Sequence, residues 1–333
     1  MNQKNLLEKL QSLSSKRILI TGAHGMLGNS FKEQLAKYLP HCEIKALGKN
    51  ELDVRDVDQV MSMDSWLKEG WIIHCAAFVN VEGCAENPTL ARDTIVGGTK
   101  NLLALAKKTG SYFFYPQSFL IYDGSSELIS EEILPNPMSL YGQLKFEAEK
   151  LILENHKESI IVRMAGFFGG NQRDKNFVGK IIKHISQLIK EGHAQIKVGD
   201  RVWQPTWTDD LALNSLLLMS AAAPGVYQMA CHGSASFYQL TKEIVNHLNW
   251  NDLIEVIQVK ESEVTSNERG RRPSKAELDC GLLKAKGLDF QRPWGVTLKE
   301  YLSDSYFDSY RNQTRSNNSW KDPKNDKTST QQL

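Results

Sequence analysis

The segment KRILITGAHGMLG, residues 16–28, is the most informative part of the sequence for the class of fold. Its apolar run predicts a short buried strand over residues 16–21, followed by a helix over residues 26–38. Between them lies a G-x-x-G-x-x-G turn, whose glycines allow a tight reversal and a close approach of backbone N–H groups to a phosphate. A dinucleotide-binding turn is favoured over a simple strand–helix connection, because the motif directly follows a buried strand. The residues predicted to contact the cofactor here are Gly22, Gly25, Met26, Leu27 and Gly28, while His24 is expected to be a solvated loop side chain.

Outward from this turn, strand and helix patterns alternate through about 160 residues. A helix is expected over residues 2–13 before the first strand. The further predicted strands are 43–47, 71–75, 112–115 and 159–162, and the further predicted helices are 56–68, 90–108 and 141–156. This alternation is typical of parallel strands joined by right-handed crossovers. We therefore predict an α/β fold with a doubly wound parallel sheet.

After Arg163 the predicted helices become longer, over residues 177–190, 209–220 and 237–248, with short strands near 195–198 and 253–259. We expect residues 1–165 to form a nucleotide-binding domain, to which later segments return, and residues 166–305 to form a smaller substrate-binding lobe. Residues 311–333 are polar and nearly devoid of apolar side chains, so a disordered tail is predicted.

Composition excludes several classes of protein. Of the 333 residues, 41% are hydrophobic and 24% are charged, which is typical of a globular protein rather than a disordered one. Forty basic and 39 acidic side chains give a net charge of +1, so the chain has no overall field that would attract nucleic acid or an anionic membrane, and any anion must be held locally. The five cysteines show no C-x-x-C pairing and no metal-ligand spacing. No signal peptide or long apolar run is visible, so a cytoplasmic location is expected. The protein is also expected to bind no metal ion.

The end of the second predicted strand bears on the choice of cofactor. An enzyme specific for NAD would carry an acidic residue there for the ribose 2′-hydroxyl, but this chain reads Leu47-Gly-Lys-Asn50. A cation at Lys49 favours a 2′-phosphate, so NADPH is the expected cofactor, with NADH as the alternative. Asp53 and Val54 follow and are predicted to lie near the adenine, although Asp53 could equally cap the next helix.

A candidate catalytic pair begins the helix predicted over residues 141–156. Tyr141 and Lys145 are four residues apart, which places phenol and ammonium on one face of the helix. A phenol is a weak acid near neutral pH, and a neighbouring cation favours its ionised form. This pair is suited to exchanging a proton with a substrate oxygen while a nicotinamide cofactor exchanges hydride.

The order of these motifs resembles the extended short-chain dehydrogenase/reductase family, and within it the branch of the dTDP-4-dehydrorhamnose reductases. The resemblance covers residues 16 to about 300. It depends on the segments ILITGAHGMLG (18–28), LDVRD (52–56), HCAAFVNVEGCAENP (74–88), GGTKNL (97–102), QSFLIYDG (117–124), YGQLKFEAE (141–149), NFV (176–178), QPTWTDDLA (204–212) and RPSKAELD (272–279).

The resemblance implies roles for further residues. Ser118 would orient the 4-keto oxygen of a sugar, and Cys75, Ala76 and Ala77 would join the cofactor site. Substrate contacts are expected from Phe119, Asn176, Trp207 and Arg272, the last of these for a diphosphate. Arg272 belongs to a basic cluster with Arg269 and Arg271, which could also be a solvated loop.

Several positions depart from the family pattern. Gln117, Phe119 and Leu120 replace Ser, Asp and Tyr, and Gly166 stands where an aromatic residue is expected. Ile95 and Ala85 replace an Asn and an acidic residue. Phe119 and Leu120 lack the carboxylic acids that a 4,6-dehydratase needs after its Ser or Thr, whereas a ketone reduction does not need them.

The sequence therefore predicts an NADPH-dependent reductase of a nucleotide-linked 4-keto-6-deoxy sugar. Tyr141 would donate the proton, Lys145 would hold the nicotinamide ribose, and the protein could form a homodimer. Two alternatives stay open: a non-catalytic nucleotide-binding subunit similar to the regulatory subunit of methionine adenosyltransferase, and a nucleotide-sugar epimerase.

Overall fold

The structure is a computed structural model that describes residues 3–221, 223–264 and 270–314. Its strands are β1 (Arg17–Thr21), β2 (Glu43–Leu47), β3 (Trp71–His74), β4 (Tyr112–Ser118), β5 (Ser159–Met164), β6 (Phe167–Phe168), β7 (Gln195–Val198), β8 (Val202–Trp203), β9 (Thr206–Trp207), β10 (Gly225–Met229), β11 (Ala235–Ser236) and β12 (Glu255–Gln258).

Helices account for most of the remaining regular structure. They are α1 (Gln3–Leu10), α2 (Met26–Tyr38), α3 (Val57–Met61), α4 (Val81–Glu86), α5 (Pro88–Arg92), α6 (Gly98–Thr109), α7 (Leu140–Asn155), α8 (Phe177–Lys190), α9 (Thr208–Ala221), α10 (Phe237–His247), α11 (Glu261–Val264), α12 (Gly281–Ala285), α13 (Trp294–Leu302) and α14 (Asp308–Arg311). A π-helical turn, Asp93–Gly97, joins α5 to α6.

The chain divides into two compact units that do not follow one another along the sequence. The first comprises Met1–Ala165, Thr208–Ala230 and Arg269–Gln291, and the second comprises Gly166–Trp207, Cys231–Glu268 and Arg292–Leu333. Helix α9 and strand β10 thus belong to the first unit, although they lie within the range 166–305 that was assigned to the lobe. The functional roles of the two units stay predictions.

A six-stranded sheet forms the centre of the first unit. Its strand order is β10-β5-β4-β3-β1-β2, and every pairing is parallel. The chain runs from β1 to β2 and then crosses back to β3 on the other side of β1, so the winding direction changes between β1 and β3. Ligands of such sheets bind where this change occurs, at the carboxyl ends of the strands. The predicted doubly wound α/β fold is confirmed.

Helices pack on both faces of this sheet. Helix α2 contacts β1 and α9, and Phe31 of α2 meets Phe114 of β4 edge to face, with 5.5 Å between ring centroids. Helices α6 and α7 pack against β3, β4 and β5, and their buried residues Leu102 and Leu144 join one apolar cluster with Ile72 and Phe113. Burial of both faces explains why the strands read as continuous apolar runs.

The second unit has its own apolar core. Its strands pair in twos: β6 with β9 and β7 with β12 in parallel, and β8 with β11 antiparallel. Helices α8, α10 and α13 contribute buried residues such as Ile181, Leu240 and Leu298 to a cluster that includes Trp250. Trp250 is fully buried, and its indole N–H donates to the carbonyl of Tyr310 over 2.8 Å.

Several predicted elements need correction. Helix α3 ends at Met61 rather than at residue 68, because the backbone of residues 62–67 turns through bonds such as Met63 N–H to Val60 O. The helix predicted over 90–108 is interrupted by the π-helical turn. Strand β10 was not predicted at all, and it pairs in parallel with β5 at the sheet edge. The predicted tail falls largely on residues 315–333, which lie outside the described residues.

Candidate active site

The glycine turn joins β1 to α2 at the carboxyl edge of the sheet. Gly22 has a φ of +64°, a backbone conformation that favours glycine. A Cβ at Gly22 would lie 2.7 Å from the backbone nitrogen of Ala76, and one at Gly28 would lie 2.4 Å from the carbonyl oxygen of Gly22. Both glycines are therefore required by close backbone packing.

Helix α2 begins after Gly25, its N-cap residue, which has no side chain to bond the free N–H groups of the first turn. The first N–H groups of a helix have no intrahelical acceptor, and together with the helix dipole they favour an anion. Since no described side chain caps this helix end, its geometry fits the pyrophosphate of a dinucleotide.

The end of β2 carries a small charged cluster. The exposed His24 ring lies over Gly48 and bonds the Glu51 carboxylate, with 2.9 Å between Nε2 and Oε2, and Glu51 also accepts the N–H of Gly48 over 2.7 Å. Lys49 is exposed beside this cluster. His24 is thus exposed, as a solvated loop residue would be, and it has an acidic partner.

The two residues predicted near the adenine differ in their surroundings. Asp53 pairs with Arg55 over 2.5 Å, and this hydrogen bond lowers the pKa of Asp53 to about 2. Val54 is buried against α6, where a Cβ at Gly98 would lie 2.6 Å from its Cγ2. Its carbonyl accepts the side-chain N–H of Asn101 over 2.9 Å. Their contact with a cofactor stays a prediction.

The end of β3 is fixed by a buried hydrogen-bonded chain. His74 bonds Thr21 through Nδ1 over 2.9 Å and Thr99 through Nε2 over 3.2 Å, and the N–H of Ala76 donates to the Thr21 hydroxyl over 3.3 Å. Burial, assisted by the Lys145 charge, lowers the pKa of His74 to about 3, so the ring is neutral. His74 therefore ties β1, β3 and α6 together beside the glycine turn, a role that its position in the sequence did not indicate.

The three predicted catalytic residues lie together in the first unit. Ser118 ends β4 and its hydroxyl accepts the N–H of Leu120 over 3.2 Å. Tyr141 is in the first turn of α7, which is capped by Ser139 through the N–H of Gly142. A Cβ at Gly142 would lie 2.2 Å from the carbonyl oxygen of Leu120, so this turn packs directly on the segment after Ser118. The Ser118 side chain is near enough to the phenol to affect its pKa.

Burial dominates the electrostatics of the Tyr–Lys pair. It raises the pKa of Tyr141 to about 12, although the Ser118 side chain acts in the opposite direction. It lowers the pKa of Lys145 to about 7, against the influence of Cys75 and Glu149. The Lys145 ammonium donates to the carbonyl of Pro116 over 2.8 Å and lies 3.8 Å from the ring centroid of Tyr115.

Cys75 connects the pair to the glycine turn. A Cβ at Gly22 would lie 2.8 Å from its carbonyl carbon, and its thiol is within electrostatic range of Lys145. Burial raises the pKa of this thiol to about 12, while Lys145 acts in the opposite direction. The structure thus brings the turn, residues 75–77 and the Tyr–Lys pair to one edge of the sheet.

The predicted substrate residues are distributed over both units. In the first, Phe119 is half-buried in the turn after Ser118, and Arg272 pairs with Glu82 over 2.7 Å. In the second, the Asn176 amide donates to the carbonyl of Phe167 over 2.8 Å, and the Arg292 guanidinium lies 5.5 Å from the ring centroid of Trp207. Arg269 lies outside the described residues. The role of each in binding a substrate stays a prediction.

Two findings concern the described part of the chain only. No group of three or more His, Cys, Asp or Glu side chains there is arranged to hold a metal ion. None of its helices combines the length and apolar character needed to cross a bilayer.

The parallel sheet, the glycine turn at its switch point and the adjacent Tyr–Lys pair define a Rossmann-type extended short-chain dehydrogenase/reductase. The sequence model of the family described as the RmlD substrate binding domain matches residues 16–307. The chain belongs to this family, which confirms the resemblance stated from its motifs.

Three individual proteins illustrate the similarity. A dTDP-4-dehydrorhamnose reductase from Clostridium acetobutylicum has a solved structure with 30% identity and a TM-score of 0.78, covering 86% of this chain and 98% of that one. A dTDP-4-dehydrorhamnose reductase from Bacillus anthracis, solved in complex with NADP, has 25% identity and a TM-score of 0.77, covering 87% and 100%. The methionine adenosyltransferase 2 subunit beta of Rattus norvegicus is 24% identical over 93% of this chain and 94% of its own length.

Proposed function

We propose that the protein is an NADPH-dependent reductase of the 4-keto group of a nucleotide-linked 4-keto-6-deoxy sugar. One observation carries this proposal: Ser118, Tyr141 and Lys145 lie together at the edge of the sheet that carries the glycine turn. The similarity to dTDP-4-dehydrorhamnose reductases, one of them solved with NADP, supports both the substrate class and the cofactor.

The glycine turn and the end of α2 would hold the cofactor pyrophosphate, and Lys49 would face the adenosine 2′-phosphate. When bound, the reduced nicotinamide supplies the hydride. Cys75 and Ala76, which pack against Gly22, would form the neighbouring wall of that site.

Tyr141 would act as the proton donor to the sugar oxygen. Its raised pKa keeps the phenol protonated at neutral pH, which is the state that a reduction needs. The Ser118 hydroxyl would orient the ketone, and the protonated form of Lys145 would stabilise the phenolate that is left after proton transfer. Two observations support these assignments: the Ser118 side chain is near enough to Tyr141 to affect its pKa, and Tyr141 and Lys145 are four residues apart on α7.

The test is to mix the purified protein with NADPH and dTDP-4-keto-6-deoxy sugars and to follow the absorbance of the reduced nicotinamide. Tyr141→Phe should lower kcat by at least about 100-fold, the scale of a lost general acid, and should leave the Kd for NADPH nearly unchanged. Tyr112→Phe is the matched control, since Tyr112 stacks on Trp71 instead and should leave kcat unchanged. A Tyr141→Phe variant with normal turnover would refute the assignment.

A nucleotide-binding regulatory subunit is the second candidate, because the rat subunit matches nearly the whole chain. It predicts NADPH binding without oxidation in the presence of any keto sugar. The epimerase alternative predicts a cofactor that stays bound through purification and no net oxidation. A cytoplasmic location and a homodimer belong to the reductase proposal and are tested separately, by fractionation and by sedimentation.

A further inference from the structure

A buried polar chain runs from β5 to the catalytic end of β4. Arg163 pairs with Glu149 of α7, with 2.5 Å between Nη2 and Oε1, and the two side chains are 7% and 1% exposed. Arg163 also donates to the Tyr122 hydroxyl over 2.8 Å and to the carbonyl of Glu131 over 3.0 Å. Arg163 therefore anchors one end of this chain at the buried Glu149 carboxylate, the Tyr122 hydroxyl and the Glu131 backbone.

Gln117 continues the chain from the ion pair to the catalytic residues. Its side-chain N–H groups donate to the second oxygen of Glu149 and to the backbone carbonyl of Lys145, each over 2.9 Å. Its side-chain oxygen accepts the backbone N–H of Ser118 over 2.8 Å. One amide thus holds the main chain at two of the three catalytic residues.

The orientation of this amide follows from its partners. Glu149 and the Lys145 carbonyl can only accept hydrogen bonds, and the Ser118 N–H can only donate. A flipped amide would place its oxygen against two acceptors and its NH2 group against the Ser118 N–H, so all three of its hydrogen bonds would be lost. Gln117 is only 3% exposed, so water cannot readily replace these bonds.

We propose that Gln117 is a positioning residue that fixes Ser118 and Lys145 relative to each other by anchoring both to the buried Arg163–Glu149 pair. Relatives are expected to carry serine here, and a serine hydroxyl can donate only one hydrogen bond. The amide makes three, so the arrangement is particular to a glutamine at this position. The consequence for turnover depends on the reductase function proposed above.

The physical expectation is a loss of catalytic rate rather than of binding. Gln117 contacts the backbone of the catalytic residues and not the predicted cofactor turn, so its removal should let β4 and α7 shift by a fraction of an ångström. Misplacement of about 1 Å in an active site can cost roughly 100-fold in rate. Substrate and cofactor contacts elsewhere in the site would be little affected.

The experiment compares Gln117→Met with Asn214→Leu in the full-length chain. Asn214 is a matched control, because its buried amide also joins two backbone groups, the carbonyl of Leu288 and the N–H of Phe290, over 2.9 and 2.8 Å. We expect Gln117→Met to lower kcat by about 10- to 100-fold with KM and the Kd for NADP⁺ within about twofold of wild type. Asn214→Leu should keep kcat within about twofold of the wild-type value, even if its midpoint of thermal unfolding falls as far as that of Gln117→Met.

Two further measurements keep the proposal open to refutation. Gln117→Ser, the substitution least expected to prevent folding, should also lower kcat, by about threefold or more. Amide exchange at Ser118 should accelerate at least tenfold in Gln117→Met and stay unchanged in Asn214→Leu. Wild-type kcat in both Gln117 variants, or an equal loss in Asn214→Leu, would overturn the proposal.

The amide-exchange measurement separates this inference from the proposed function. If the wild-type protein reduces no keto sugar, the reductase proposal fails, while faster exchange at Ser118 would still support the positioning role. If turnover is normal and exchange at Ser118 does not change, the positioning role fails and the reductase proposal stands.

Discussion

The buried Lys145 ammonium makes a prediction that does not depend on any substrate. Its pKa is about 7 in the folded chain and about 10.4 for an exposed lysine. Between these values the unfolded chain binds a proton that the folded chain does not, so the free energy of unfolding must rise with pH. The cost of burying the ammonium is therefore fully present below pH 7 and disappears as the pH approaches 10.

The size of the effect follows from the two pKa values. Between pH 7 and pH 9, the contribution of Lys145 to the free energy of unfolding should rise by about 2 kcal/mol. The range must stop at pH 9, because the buried thiol of Cys75, with a pKa raised to about 12, acts in the opposite direction above it. Lys145→Met removes the titrating group, keeps most of the side-chain volume and leaves the other groups in place.

The assay is urea unfolding of wild type and Lys145→Met at pH 7, 8 and 9. The variant should be stabilised relative to wild type at pH 7, and this advantage should shrink by about 2 kcal/mol at pH 9. Lys150→Met is the control on the same helix: Lys150 is exposed, so its curve should run parallel to that of wild type. A Lys145→Met curve that is also parallel would refute a pKa displaced by burial.

Two other substitutions test the packing around the site. Gly28→Ala should weaken NADP⁺ binding by at least about tenfold and lower stability by about 1–3 kcal/mol, because a Cβ would lie 2.4 Å from the Gly22 carbonyl. The control is Gly97→Ala, since a Cβ there meets no packed neighbour: it should leave NADP⁺ binding unchanged and raise stability by up to about 1 kcal/mol, as alanine does in a helical conformation. Ligand fluorescence measures the binding and urea unfolding measures the stability. Arg163→Met should cost about 3–5 kcal/mol by leaving the Glu149 carboxylate buried and unpaired, and adding Glu149→Met should recover part of that loss. A double variant no more stable than Arg163→Met would contradict this account.

Local signals in the sequence were sufficient for five of the six strands of the central sheet and for helices α2 and α7, which carry the residues of the candidate site. Helices α2 and α8 begin and end where their apolar periodicity predicts, and the Tyr–Lys spacing placed both side chains on α7. Strand β10 was missed because its only signal is a five-residue segment whose partner, β5, lies about 65 residues earlier. Helix α3 was predicted too long because turn hydrogen bonds of residues 62–67 competed with the helix.

The role of Gln117 could not be predicted from its sequence neighbours. The substitution was visible as a departure from the family pattern, but its meaning depends on Glu149, 32 residues later, and on Arg163, which lies beside it in the sheet. A buried glutamine next to a predicted catalytic serine is interpretable only once its hydrogen-bond partners are known. Hydrogen bonds between residues that are distant in the sequence leave no periodic pattern in it, whereas the burial of apolar residues in helices and strands does.

Burial shifts the pKa values of both Tyr141 and Lys145, and the resulting protonation state of the phenol suits the reduction of a ketone. Burial penalises whichever form of a side chain is charged, so it keeps Tyr141 protonated and weakens the proton affinity of Lys145. A protonated phenol is ready to donate, as reduction of a ketone requires, whereas oxidation of an alcohol would first need the phenolate. A bound dinucleotide would bring negative charge to the turn beside Cys75, near this ammonium, and would favour its protonated form. The same burial that protects the pair from water would thus keep Tyr141 ready to donate its proton, and binding of the cofactor would raise the pKa of Lys145.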